Sequence, residues 1–241
     1  MTDVKQAARI SGMRQFKAIL KKDIVMELRT KEMLTSMGLY ALLVLLIYYI
    51  ALSQAGRGFD VTNIAGGLLW LAIVFTSLLG LNRSLVHEKD QGCLDALLLA
   101  PVDRPVIFFG KAIGNLLFLL IVEVFVTPLF MIIFNAGKYA HGISTWGFVG
   151  LVLVVGSIGI AGVGTLLATM SVNTTGKDFV LAVLFIPIMF PLLLAVVAAT
   201  WAILIANPDM AVYWKMIAVA GGYDVIMLLA AYALYEFVLG A

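Results

Sequence analysis

Charge is the scarcest ingredient of this chain. Lysine, arginine, aspartate and glutamate make up 12% of its 241 residues, whereas a soluble domain carries about 25%. Long apolar runs separate those charges, and 63% of the residues are hydrophobic. That distribution implies a polytopic membrane protein. A formal net charge of +2 is too small for the basic surface that nucleic-acid binding needs. The single cysteine, Cys93, excludes an intrachain disulfide and any cysteine-cluster metal site. It reads as a small packing residue.

Catalytic apparatus is missing as well. There are two histidines, His87 and His141, which read as solvated loop residues on opposite sides of a membrane and cannot share a site. No H-E-x-x-H zinc helix occurs, nor an aspartate-rich pair for a metal-bound diphosphate. Gly110-Lys111, Gly137-Lys138 and Gly176-Lys177 lack the flanking residues of a phosphate loop, and no C-x-x-C-H haem attachment is present. The chain therefore has no expected catalytic residue, no metal site and no cofactor of its own. If work is done on it, the energy comes from a partner or an ion gradient. The N-terminus shows no cleavable-signal pattern: the first apolar run starts near Met33 and is long enough to span.

What the chain does have is six apolar segments of spanning length, at 34–55, 61–82, 106–136, 146–172, 179–206 and 216–239. Backbone groups in lipid must be satisfied within their own segment, so helices are expected, and no barrel-like alternation is present. The fold class is an all-α integral membrane protein with six transmembrane helices, a single permease-like domain over 1–241. Thirteen of the sixteen basic residues fall before span one, from the end of span two to the start of span three (Arg83, Lys89, Arg104 and Lys111), or at Lys177. Only Arg57, Lys138 and Lys215 lie on the other side. Lys and Arg favour the cytoplasmic face, so both termini are expected there. Trp70, Trp146, Trp201 and Trp214 fall near span ends and read as anchors at the membrane–water interface rather than a ligand cage.

Two elements lie outside the spans. Over 13–32, Phe16, Leu20 and Ile24 recur at four-residue spacing, with Ile19 and Leu28 adjoining, while Arg14, Lys17 and Lys21 line another face. That pattern predicts an amphipathic helix in the headgroup region. The second element, 83–105, contains "RSLVHEKDQGCLDALLLAP". Asp90 and Gly92 break the helix leaving span two, and Asp95 supplies an acidic first turn. Leu94, Leu97 and Leu98 give a short helix one apolar face before Pro101 and Pro105 stop it. Such a helix can insert into a cleft on another protein; an ordinary loop is the alternative.

Two acids sit in apolar surroundings. Glu123 lies mid-span in "LLFLLIVEVFVTPLF", and Asp224 follows Gly221-Gly222, near the outer part of span six. An intramembrane carboxylate normally faces the bundle interior with a partner. Substrate contact, proton relay and a helix-to-helix hydrogen bond are all open readings. Pro128, Pro187 and Pro191 predict kinks with freed carbonyls, and Gly156, Gly159, Gly162 and Gly164 predict close helix approach in span four.

Assembled, these parts resemble the membrane subunits of exporters powered by a separate ATP-binding cassette protein. Among those they are most similar to the haem exporter permease of the cytochrome c maturation system, the CcmB family. The carrying residues are "FKAILKKDIVMELRTKEML", "EKDQGCLDALLLAPVDRPVIFFGK" and "YDVIMLLAAYALYEFVLG", including Asp224 and Glu236. The likeness runs over essentially the whole chain. It implies that Glu88, Asp90, Gly92, Leu94, Asp95, Leu97, Leu98 and Pro101 form a coupling helix docked on the ATPase. It also implies two ATPase copies, a second permease copy or other membrane subunits, haem-handling chaperone partners, the bilayer of a bacterial inner membrane, and haem as the cargo of the complex. The same architecture exporting a lipid-linked glycan or a drug is one alternative. An ion-coupled carrier using Glu123 and Asp224 is another, and a passive scaffold for haem-handling proteins a third.

Overall fold

A computed structural model describes residues 12–54, 61–90, 104–136, 138, 143–171 and 177–238. Its elements are α1 (Gly12–Thr30), α2 (Glu32–Ser53), α3 (Thr62–Asp90), α4 (Arg104–Ile133), α5 (Ile143–Ser171), α6 (Lys177–Leu204) and α7 (Met210–Val238). Every element among the described residues is an α-helix, and six of them, α2 to α7, are long and apolar enough to cross a membrane. The segments read from hydropathy correspond to these six, with one boundary displaced. The last helix starts at Met210 rather than 216, because Asp209 Oδ1 accepts the Val212 N–H at 3.0 Å and caps its first turn. Asp224 therefore lies near the middle of α7, not toward its outer end.

Lipid tails are as apolar as leucine, so close packing and interhelical hydrogen bonds hold such a bundle rather than exclusion of water. The helix α5 shows how. It packs against α3, α4, α6 and α7, and four of its glycines receive side chains from three of these neighbours. Trp70 of α3 lies against Gly156, Asp224 of α7 and Leu192 of α6 against Gly159, Leu228 of α7 against Gly162, and Leu81 of α3 against Gly164. A Cβ at 156, 159 or 164 would overlap these groups; at 162 it would stand 2.6 Å from Leu228. Trp70 is thus not an interface anchor. It is 1% exposed, and its indole N–H donates to Thr200 Oγ1 at 2.9 Å. Trp146, Trp201 and Trp214 remain exposed, all near one end of the bundle.

The prolines do not interrupt their helices: α4 runs through Pro128 and α6 through Pro187 and Pro191. Proline withholds an N–H from the ladder, and between the two in α6 the Tyr223 hydroxyl donates to the Ile188 carbonyl at 2.7 Å. At the end where the exposed tryptophans gather, Tyr213 donates to the Phe148 carbonyl at 3.0 Å. Its ring meets Phe148 and Trp214 edge-on. These contacts fasten α5 to α7 there.

Candidate functional site

The segment singled out by the sequence ends where α4 begins. His87, Glu88 and Asp90 are helical, at the end of the described part of α3, so His87 lies on a helix rather than in a loop. Gly92, Leu94, Asp95, Leu97, Leu98 and Pro101 fall outside the described residues, as do His141 and Cys93. The first turns of α4, downstream of that segment, are firmly seated. Ile107, Phe108 and Ala112 are buried with Ile19 of α1, Leu166 of α5 and Ala231 of α7 in a small apolar cluster separate from the main core.

The amphipathic helix exists, and it lies along this foot of α4. A Cβ at Gly12 would touch Val106, one at Gly110 would stand 3.0 Å from Ile19, and one at Gly114 would touch Asp23 and Leu20. The order 12–106, 19–110, 23–114 means that α1 runs parallel to α4. Its buried face is Ile19, Asp23 and Glu27, while Leu28, grouped with the apolar stripe in the sequence, points away at 60% exposed. Phe16, Leu20 and Ile24 flank the buried face, half-covered. On the open side, Lys21, Lys22, Val25, Met26 and Arg29 line a shallow groove.

Both buried carboxylates of α1 have work. Asp23 Oδ2 is 2.8 Å from Lys111 Nζ, and its other oxygen has Lys22 at 3.3 Å. Glu27 accepts the backbone N–H of Leu34 at 2.8 Å, satisfying the start of α2 across a joint where Lys31 sits at φ 55°. Sequence reading counted Lys111 only among the orienting charges. It is 3% exposed and is the residue that ties α1 to α4. A cation flanked by Gly110 and Gly114 inside an apolar run was the available signal.

Further along α4 the buried polar residues recur at four-residue intervals: Lys111, Asn115, Glu123 and Thr127, with Leu119 filling the remaining place. In the register set by the two hydrogen bonds between the helices, Lys111, Asn115, Leu119 and Glu123 correspond to Thr169, Thr165, Ala161 and Ser157 of α5, and Thr127 to Leu153. Asn115 Nδ2 donates to Thr165 Oγ1 at 2.9 Å, and Ser157 Oγ donates to Glu123 Oε1 at 2.6 Å. Glu123 thus makes the helix-to-helix hydrogen bond that was one of its readings. Among the described residues its second oxygen, Oε2, has no hydrogen-bond partner, nor has the Thr127 hydroxyl. A cavity of about 10 Å³, room for one water, lies beside Ser77, Asn115, Leu119 and Ala161.

The two intramembrane acids do not share a site. Glu123 meets Ser157, whereas Asp224 lies against Gly159. Residues two apart on a helix point about 200° apart, so α5 separates the acids.

The profile of the family described as "CcmB protein" matches residues 14–238. Three relatives carry the name heme exporter protein B. The one from Rhodobacter capsulatus is 25% identical over 178 residues, 74% of this chain and 78% of its own length. That from Bradyrhizobium diazoefficiens is 25% identical over 144 residues, 60% of this chain and 63% of its own length. That from Haemophilus influenzae is 20% identical over 179 residues, again 74% and 78%.

Proposed function

The chain belongs to the CcmB family, and from that premise we propose that it is the membrane-spanning subunit of an ATP-driven complex delivering haem across the bacterial inner membrane for maturation of c-type cytochromes. Haem is cargo in this reading, not a resident cofactor, and hydrolysis belongs to a separate cassette ATPase present in two copies. A second copy of this chain or other membrane subunits, and haem-handling chaperones, complete the assembly. Both termini face the cytoplasm. The open face of α1, with Lys21, Lys22 and Arg29 around Val25 and Met26, suits anionic headgroups there.

The supporting observation is the seating of α4. Glu88, Asp90, Gly92, Leu94, Asp95, Leu97, Leu98 and Pro101 form the coupling segment, and the residues that follow it are clamped to α1, α5 and α7 through one apolar cluster and the Lys111–Asp23 pair. Force applied to that segment therefore enters the bundle instead of dissipating in a loose connection. Binding and hydrolysis of ATP then bias two arrangements of the helices.

The ion-coupled alternative is weakened by the separation of Glu123 from Asp224. It predicts transport that survives loss of the ATPase and collapses with the proton gradient. Introducing Leu94→Lys with Leu97→Lys tests the docking role: the ATPase is expected to stop co-purifying, and undiminished association counts against it. Deleting the gene tests the cargo. Loss of covalent haem from c-type cytochromes is expected, and normal cytochromes would favour another cargo.

A further inference from the structure

The charges of α1 are segregated by sign. The helix carries Arg14, Lys17, Lys21, Lys22 and Arg29 against Asp23 and Glu27. Both carboxylates are turned inward, 8% exposed each. Both are engaged within the chain, Asp23 with Lys111 and Glu27 with the Leu34 N–H. Arg14, Lys17, Lys21 and Arg29 are exposed and Lys22 is half-buried, its ammonium 3.3 Å from Asp23 Oδ1. The outer surface of α1 is therefore cationic along its length. Past its end, exposed Lys31 and Glu32 offset one another.

Apolar side chains share that surface. Met13, Val25 and Leu28 are exposed, and Val25 and Met26 lie between Lys21, Lys22 and Arg29 in the shallow groove. The helix is seated on α4 and joined to α2, and the groove lies on the face turned away from that seat. The span α2 begins two residues beyond Thr30, so Arg29 stands at the mouth of a membrane-crossing helix, the level of lipid headgroups. Cationic walls with an apolar floor at that level suit an anionic phospholipid. Its phosphate meets the ammonium and guanidinium groups while its chains cover the apolar side chains.

The seat and this surface depend on one another. Were α1 to turn off α4, Asp23 and Glu27 would come round among the cations, and an anionic surface would repel them. Anionic lipid therefore binds the seated helix better than the detached one. A ligand with that preference stabilises the state it prefers.

We propose that an anionic phospholipid headgroup binds the outer face of α1 at Lys21, Lys22 and Arg29, and that its binding reinforces the seat of α1 on the foot of α4. This goes beyond the functional reading and shares with it only the placement of this end of the bundle at the inner leaflet.

The test follows α1 from its buried side, in the purified full chain in a neutral detergent. In a Cys93→Ser background, which removes the one native thiol, Ile19→Cys faces Gly110 of α4 and reacts with an uncharged maleimide only when α1 lifts. Phe16→Cys, at the edge of the same contact, is a second probe. Rates are taken relative to Thr35→Cys, exposed at the start of α2. Titrated phosphatidylglycerol is expected to slow both probes saturably and several-fold, and phosphatidylcholine to leave them unchanged. Lys21→Gln with Arg29→Gln should raise the half-effective phosphatidylglycerol concentration roughly 30-fold, as for two cations at an anionic surface. Lys21→Arg with Arg29→Lys keeps the charge and should keep the response.

Equal effects of the two lipids, or a phosphatidylglycerol effect that survives the double glutamine variant, would overturn the proposal. So would equal protection by inorganic phosphate, which has no chains to cover Val25 and Met26. Added ATPase that protects both probes through Lys21 and Arg29 while the lipid does nothing would assign this face to an acidic protein surface instead. None of these measurements on the isolated chain bears on whether the ATPase docks through Leu94 and Leu97, so either idea can fail alone.

Discussion

Replacing Lys111 with methionine should release α1 from the foot of α4. Lys111 is 3% exposed and Asp23 8%, so the substitution leaves a carboxylate in a nearly closed site. Breaking a buried ion pair by removing one partner costs about 3–5 kcal/mol. Lys22, 3.3 Å from the other oxygen with its side chain 35% exposed, compensates in part and sets the expectation at the low end, about 3 kcal/mol. Since about 1.4 kcal/mol is a factor of ten, the detached population of α1 should rise roughly 100-fold. Trypsin reports that population directly: Lys17 and Lys21 are exposed on α1, but cleavage needs the helix to open locally, and its rate follows the open fraction when reclosing is fast. Replacing both partners, Asp23→Leu with Lys111→Met, leaves no uncompensated charge and should restore much of the protection. The double-mutant cycle should give a coupling energy of about 2 kcal/mol or more. Wild-type cleavage of Lys111→Met, or a double variant no better protected than the singles predict by addition, would refute the claim that this pair holds α1 in place.

Other expectations concern packing, capping and the polar seam. A Cβ at 156 overlaps the Trp70 indole, so Gly156→Ala should lower the thermal midpoint in detergent and Trp70→Leu should recover part of it; an unchanged midpoint would contradict the packing. Glu123→Leu removes a carboxylate with one unpaired oxygen. It should leave thermal stability equal or higher, while covalent haem on c-type cytochromes falls; impaired folding with normal maturation would reverse that assignment. Glu27→Ala strips the Leu34 N–H of its acceptor and should cost about 2 kcal/mol, as for a hydrogen bond to a charged group. Lys31→Gly should stabilise by about 1 kcal/mol, because Lys31 occupies the left-handed region at φ 55°. Opposite signs in thermal unfolding are expected for these two neighbours.

Hydropathy exposed the spans because twenty consecutive apolar residues have few explanations other than a membrane-crossing helix. The amphipathic helix was legible from the four-residue spacing of Phe16, Leu20 and Ile24, but which part of its surface is covered was not. Periodicity finds an apolar face, whereas here the buried line alternates Ile19 with two acids whose partners come from other helices. Asp224 was placed too far out because Asp209 starts α7 earlier than its hydropathy does. Trp70 was misassigned because tryptophan near a span end usually marks an interface, and only the facing Gly156, eighty-six positions away in the chain, makes room for it inside. The polar seam is a property of two helices in register. Each of its residues looked ordinary when read along one strand of text.

The aromatic fastening of Tyr213, Phe148 and Trp214 makes α5 and α7 a single rigid ruler pinned at one extremity. Spin labels that span those two helices should read one distance whatever the nucleotide, and serve as the internal standard. A label placed on any other helix can then be measured against that ruler.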